Sequence, residues 1–351
     1  MVEGRHAINE QDRVKMKTLI TGATGFIGRH LAKTLHDKGR QIKCLVRKTS
    51  RVNFLEQLGA ELVYGDLNDT NSLKTALQNV DTIYHAAGEV FAAQEENYYR
   101  VNVSGLKNLL EACSNASVKK IIHFSSSSAT GPNPLRDVPV TEDSPCRPIT
   151  PYGMSKLEGE KIICQLSEQY HIPIIIIRPP LVYGPGVSQS SRVLMFLNLI
   201  NKGLFRTIGD GNNLVSLCYI DNLIHGILLA EADKKAEGQI YFLSDSRPYT
   251  VNEIAATIAQ EQGKPIPSSH IPLWAASPLS MGLGIFSKLF GFNSPLTRNT
   301  VKELKNNWFV DISKAQKELG YQPRVEFRDG VRKTVEWFYS EYLPTAQQKM
   351  H

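Results

Sequence analysis

The chain has 351 residues, of which 42% are hydrophobic and 21% charged, and a formal net charge of +6. That length supports one large or two interlocked domains with a sizeable core, and the proportions exclude bulk disorder. The basic residues are scattered, which argues against a nucleic-acid partner.

Residues 1–15 read as a polar extension without the apolar run of a signal peptide. From there strand and helix signals alternate. Thr18–Thr21 is a strand, Phe26–Lys38 a helix, Gln41–Val46 a strand, Leu55–Leu58 a short helix and Glu61–Tyr64 a third strand. Thr70–Gln78 is helical, Thr82–His85 a strand, Tyr98–Ser114 a helix, Lys120–Phe124 a strand, Tyr152–Tyr170 a long helix and Pro173–Ile177 a sixth strand. This alternation predicts an α/β fold, a doubly wound parallel sheet of Rossmann type. After Arg178 the regularity weakens. Helical periodicity at Ser191–Lys202, Asn222–Glu231, Asn252–Gln262 and Arg328–Tyr342, with a strand at Gln239–Ser244, predicts a smaller, mostly helical substrate region. The expected division is 16–180 for the dinucleotide domain, continued by 214–245, with 181–213 and 246–345 for the substrate region. No stretch has the roughly 18 uninterrupted apolar residues of a membrane span, so a cytoplasmic location is expected. Five cysteines without a CxxC spacing and nine histidines without an HExxH pair predict reduced thiols and no metal site.

The run Thr21-Gly22-Ala23-Thr24-Gly25-Phe26-Ile27-Gly28 lies between the first strand and the first helix. Gly22 permits a tight turn, Gly25 a close approach of backbone to a pyrophosphate, and Gly28 the packing of helix on sheet. Backbone N–H groups at a helix start then meet the anion. The second strand ends at Val46-Arg47-Lys48, where an NAD site usually carries an acid. Arg47, supported by Lys48 and Arg51, suits the 2′-phosphate of NADP instead. NADP(H) is the expected cofactor and NAD(H) the alternative. Asp66 and Leu67 follow the third strand and Ala86, Ala87 and Gly88 the fourth, at strand ends that face a cofactor crevice. His85 reads as a packed strand residue.

Tyr152 and Lys156 stand four residues apart at the start of a helix, on one face. A free tyrosine, with a pKa of about 10, exchanges protons poorly near neutrality. A neighbouring ammonium favours phenolate and is expected to lower that value. The strand end Ser125-Ser126-Ser127-Ser128 precedes them and offers a hydroxyl to polarise a carbonyl oxygen.

These features together resemble the extended short-chain dehydrogenase/reductase superfamily over about residues 16–345. The residues that carry the likeness are the loop 21–28, Asp66-Leu67, His85-Ala86-Ala87-Gly88, Asn102 in the run 101–113, the serine strand end, Tyr152 with Lys156, and Arg178-Pro179-Pro180-Leu181-Val182-Tyr183-Gly184-Pro185-Gly186. The resemblance implies Ser126 as the carbonyl-orienting hydroxyl, with Ser127 as the other choice, Tyr152 as proton donor or acceptor, and Lys156 in support of both. It places Pro179 beside the cofactor. It brings Ser127, Tyr183, Arg192, Tyr219 and Asp221 towards the substrate cleft, and implies pairing into a homodimer. Asn102 is expected to be structural.

Within the family the sequence favours an oxidoreductase that interconverts a ketone and a secondary alcohol on a bulky or hydrophobic small molecule. Dihydroflavonol-reductase-like and 3β-hydroxysteroid-dehydrogenase-like members are the nearest in pattern. Sugar dehydratases are similar to one another in placing Asp and Glu where Ser127 and Ser128 stand here. A nucleotide-sugar epimerase is the alternative, and a non-catalytic NADP(H)-sensing protein a further one. The largely apolar stretch 273–292 reads as a lid, a core or dimer element, or a peripheral membrane contact.

Overall fold

The computed structural model describes residues 17–92, 94–275, 278 and 303–348. Seven strands form one parallel sheet: β1 (Lys17–Thr21), β2 (Gln41–Val46), β3 (Glu61–Tyr64), β4 (Thr82–His85), β5 (Lys120–Phe124), β6 (Ile174–Arg178) and β7 (Ile240–Phe242). Their order is β7-β6-β5-β4-β1-β2-β3. The order reverses at β1, which has β2 on one side and β4 on the other, so a crevice opens at the carboxyl ends of these strands. β7 comes from the later part of the chain and pairs with β6, returning that part to the sheet.

Successive strand residues point to opposite faces, and the two cores divide accordingly. Ile20, Tyr84, Ile122 and Ile175 pack on one side, whereas Leu19, Ile83, Ile121 and Ile174 pack on the other. Burial on both faces explains the unbroken Ile174–Ile177 run. The first side is covered by α1 (Phe26–Asp37). The second is covered by α2 (Thr70–Leu77), α3 (Leu106–Cys113) and α4 (Pro151–Tyr170). Thr150 caps α4 by accepting the Gly153 N–H at 3.2 Å, and Pro151 stands in its first turn.

The expected single helix over 98–114 is instead three pieces. A short helix, Glu95–Tyr99, runs into a π-helical turn at Arg100–Gly105 before α3 begins. The wide turn carries Asn102, whose amide bonds the Glu89 backbone and the Ser155 hydroxyl. These side-chain bonds take precedence over a regular helix here. Gly159 of α4 lies so close to this turn that a Cβ would stand 2.8 Å from the Asn102 carbonyl oxygen.

Further helices among the described residues include α5 (Arg192–Asn201), α6 (Ile220–Ala232), α7 (Val251–Glu261), α8 (Ser313–Leu319) and α9 (Phe327–Trp337). Thr250 and Glu253 form a capping box at the start of α7. Short strand pairs link this region: 181–183 with 217–219, 214–215 with 249–250, and 207–208 with 270–271. Among the described residues no helix is long and apolar enough to cross a membrane. Of the apolar stretch 273–292 only 273–275 and 278 are described, and the remainder lies outside the described residues. Residues 1–15 lie outside them as well.

Candidate active site

The loop after β1 and the start of the loop after β4 are packed backbone to backbone. Gly22 has φ +74°, and a Cβ there would stand 2.5 Å from the Ala87 nitrogen. The Ala86 N–H donates to the Thr21 carbonyl at 3.1 Å. Gly28 serves the loop itself rather than the sheet, since its Cβ would fall 2.1 Å from the Gly22 oxygen. Gly25 precedes α1, with no side-chain cap and no acid in the first helical turn. Helix-start N–H groups without a competing carboxylate suit an anion, so the residues present fit a dinucleotide pyrophosphate. Thr24, Phe26 and Ile27 are half-buried around this loop. The Phe26 ring meets His30 edge-on, and His30 Nε2 lies 2.8 Å from the Pro185 carbonyl oxygen. Arg47 and Lys48 are exposed directly after β2, as is Arg51. Asp66 is exposed too, with Oδ1 accepting from the Asn68 backbone at 2.9 Å and side chain at 2.8 Å. Leu67 is a buried packing residue against Gly105.

Three groups converge at the end of β5. Ser126 is 8% exposed, and its hydroxyl accepts the Ser128 N–H at 3.1 Å while acting to lower the pKa of the Tyr152 phenol. Lys156 Nζ donates to the Phe124 carbonyl at 2.9 Å. Gly88 lies over the lysine, so that a Cβ there would meet Nζ at 3.1 Å. The Ser127 N–H donates to the carbonyl of buried Pro179 at 3.0 Å, and the serine that acts on the Tyr152 phenol is Ser126.

Burial pushes the Tyr152 phenol up to about 12; the Ser126 bond opposes this, and Tyr98 and Glu303 add to it. Lys156, expected to depress this value, is not among the groups that act on it, and burial sets the direction. Burial also lowers the Lys156 ammonium to about 8, opposed by Glu160. Beneath the lysine, His85 and His123 stack with ring centroids 5.3 Å apart. His85 Nδ1 lies 2.7 Å from the Thr21 hydroxyl. Burial lowers His85 to about 3 and His123 well below its ordinary value, with the Lys156 charge adding to both. Both rings are therefore neutral packing groups.

Two neighbours of Tyr152 were not anticipated. The Tyr98 ring lies 6.0 Å away at 56°. Glu303 acts on the phenol and pairs with Arg192 at 2.8 Å. Tyr98 precedes Asn102 by four residues, a spacing that could have marked it; Glu303 has no local signal.

The expected substrate residues separate into two groups. Tyr183 and Arg192 both line a cavity of about 60 Å³ whose walls include Phe196, Val251, Ile254 and Val331. The Tyr183 hydroxyl is not presented to a ligand, however. It is buried and donated to Asp245 at 2.9 Å. Tyr219 is a correction: it is buried against Tyr183, and its N–H is donated to Asp245 at 2.9 Å. The demand of a buried carboxylate for donors takes the Tyr183 hydroxyl, and the Tyr219 ring is buried by packing against Tyr183. Asp221 is exposed in the first turn of α6, where it complements the helix dipole.

Residues 18–243 match the NAD dependent epimerase/dehydratase family. The chain is 29% identical over 327 residues to UDP-glucose 4-epimerase of Vibrio cholerae, covering 91% of this chain and 94% of that protein. It is 28% identical over 320 residues to 4-hydroxy-2-methyl-3-oxo-4-farnesyl-3,4-dihydroquinoline-1-oxide ketoreductase of Stigmatella aurantiaca, covering 90% and 95%. The solved structure of UDP-glucuronic acid 4-epimerase from Bacillus cereus in complex with NAD is similar with a TM-score of 0.76 at 26% identity, over 93% of this chain and 100% of that one.

Proposed function

This chain belongs to the NAD dependent epimerase/dehydratase family and is an NAD(P)-dependent enzyme acting on CH–OH and C=O groups, and within that family we propose that it interconverts a ketone and a secondary alcohol on an apolar small molecule, with NADP(H) preferred. The observation that carries this reading is the cavity beside Arg192. Apart from that guanidinium its walls are almost wholly apolar, and the Glu303 carboxylate that pairs with Arg192 also raises the Tyr152 pKa by its charge. At about 60 Å³ it admits a small apolar fragment of a substrate, which would lose little on entering it. A nucleotide sugar would bring a pyrophosphate, to which this cavity offers one arginine already paired with a carboxylate. The ketoreductase of Stigmatella aurantiaca, named for a farnesylated quinoline, supports the same choice. The NADP preference is supported by Arg47 and Lys48 at the end of β2.

Gly22, Gly25 and the start of α1 would hold the dinucleotide pyrophosphate, and Arg47 the 2′-phosphate. When bound, the nicotinamide supplies or takes up the hydride. The protein's own part is the proton. Tyr152, kept protonated by its raised pKa, delivers the hydroxyl proton to the developing alkoxide oxygen and takes it back in the reverse direction. Ser126 donates to the same oxygen, and Lys156 holds positive charge beside both. The test is a screen of NADPH and NADH oxidation against ketosteroids, aryl ketones and nucleotide sugars. Turnover confined to nucleotide sugars would transfer the assignment to epimerisation.

A further inference from the structure

Behind the serine, tyrosine and lysine lies a buried ion pair that the reaction described above does not use. Glu160 stands one turn beyond Lys156 on α4, and Arg178 ends β6; each is 3% exposed. Arg178 grips both carboxylate oxygens, Nε to Oε1 at 2.9 Å and Nη2 to Oε2 at 2.5 Å. The Ser125 hydroxyl donates to Oε1 as well. Thus residues 152, 156 and 160, spaced four apart on one helix face, meet three consecutive strand-end residues: Tyr152 meets Ser126, Lys156 the Phe124 carbonyl, and Glu160 the Ser125 hydroxyl. Arg178 extends the clamp, because Pro179 follows it and accepts the Ser127 N–H.

Stability alone is a poor explanation for this pair, since desolvation of two buried charges offsets much of their attraction. What it holds is more informative. We propose that Glu160 is a positioning residue of the reaction: it fixes the strand end that carries Ser126 and supplies the negative charge that keeps Lys156 an ammonium. The proposal rests on Tyr152 and Lys156 being the catalytic pair. The charged and titratable groups around the lysine are few among the described residues. His85 from β4 and His123 from β5 are neutral, Tyr152 on the same helix is a phenol, and the Arg178 guanidinium from β6 lies on the Glu160 carboxylate. Against the lowering of the Lys156 pKa by burial, Glu160 is the group that raises it.

The experiment compares the full chain with Glu160→Gln/Arg178→Met, which removes both charges together and so leaves no unpaired guanidinium. Lysines carrying carbon-13 at Cε are titrated by NMR, with Lys156→Arg to assign the signal, and NADPH-dependent reduction of a ketosteroid is followed in parallel. The expected result is a Lys156 titration lower by about one pH unit and a kcat reduced about tenfold, with the substrate KM nearly unchanged. An unshifted titration and an unaltered kcat in a folded double variant would overturn the proposal. Should the double variant not fold, Glu160→Asp keeps the charge but shortens the reach to Ser125. It should retain the titration and lose kcat, and wild-type kcat in this variant overturns the positioning role. Tyr152→Phe is assayed beside them: if it stays active, the underlying reading of the site fails, whereas the NMR titration still judges Glu160.

Discussion

Lys156 Nζ donates to the Phe124 carbonyl at 2.9 Å, tying the ammonium to the strand that ends in Ser126. Burial brings its pKa to about 8. The kcat/KM for carbonyl reduction should therefore fall along a basic limb near pH 8, while Tyr152, at about 12, stays protonated throughout. The stability sign follows from the same shift. The ordinary value is 10.5, so between pH 8 and 10.5 the unfolded chain holds a proton that the folded chain has released. The burial penalty is thus fully present below pH 8 and relieved as pH rises to 10.5. A pH–rate profile checks the limb, and a profile flat from pH 7 to about 10 contradicts it.

Replacement Tyr152→Phe removes the proton donor but keeps the ring beside Tyr98. The expected loss in kcat is about 10²- to 10⁴-fold. NADPH affinity, read by fluorescence titration, should change by less than about twofold, because the pyrophosphate contacts of the 22–28 loop remain.

Exposed Arg47 follows β2 with its side chain available to a phosphate. One charge-assisted hydrogen bond is worth about 1.5–3 kcal/mol. Arg47→Ala should raise the KM for NADPH about tenfold or more and leave that for NADH unchanged. Equal effects on both, measured side by side, would remove the basis for the NADP preference.

Val193 is half-buried on α5 and lines the apolar cavity. Val193→Phe should lower kcat/KM for ketosteroids about tenfold and spare small aryl ketones. If both substrate sizes respond alike, the cavity does not receive the substrate.

Asp245 is buried and accepts from the Tyr183 hydroxyl, the Tyr219 N–H and the Asn222 side chain. Asp245→Ala would leave the Tyr219 N–H and one Asn222 N–H unpaired, at about 1–3 kcal/mol each, and leave the Tyr183 hydroxyl only its longer bond to the Phe327 carbonyl at 3.5 Å. A destabilisation of at least about 3 kcal/mol is expected by denaturant unfolding. Burial raises this carboxyl from 3.8 to about 6, so its folded form holds a proton over that interval and wild-type stability declines as pH rises through it. The variant should lack that decline.

Much of the site was legible because it depends on local spacing. Tyr152 and Lys156 share a face by helical periodicity alone, and Gly22, Gly25 and Gly28 declare a turn before a helix. The strands were legible because burial on both faces leaves continuous apolar runs such as Ile174–Ile177. What stayed hidden depends on contacts between distant segments. Tyr183 and Tyr219 look like cleft residues until Asp245 draws their donors inward. Glu303 reaches Arg192 across more than a hundred positions. Lys156 was expected to lower the tyrosine pKa, but the opposing cost of burial has no signature in a four-residue spacing. The choice between Ser126 and Ser127 turns on which hydroxyl acts on the Tyr152 phenol, a contact between distant segments that makes it Ser126.

The π turn at Arg100–Gly105 amounts to one surplus residue in an otherwise α-helical rod. Each residue advances an α-helix by about 100°. A π turn holds that surplus within one wide turn, so the segments on either side keep their faces, with Leu106, Leu109, Leu110 and Cys113 in the core and Tyr98 beside Tyr152. The residue set free from the regular ladder lies between them, where the Asn102 amide turns to Glu89 and Ser155. Excising one residue there would heal the ladder at the expense of that amide, and a change of length would cost the reaction more than the fold.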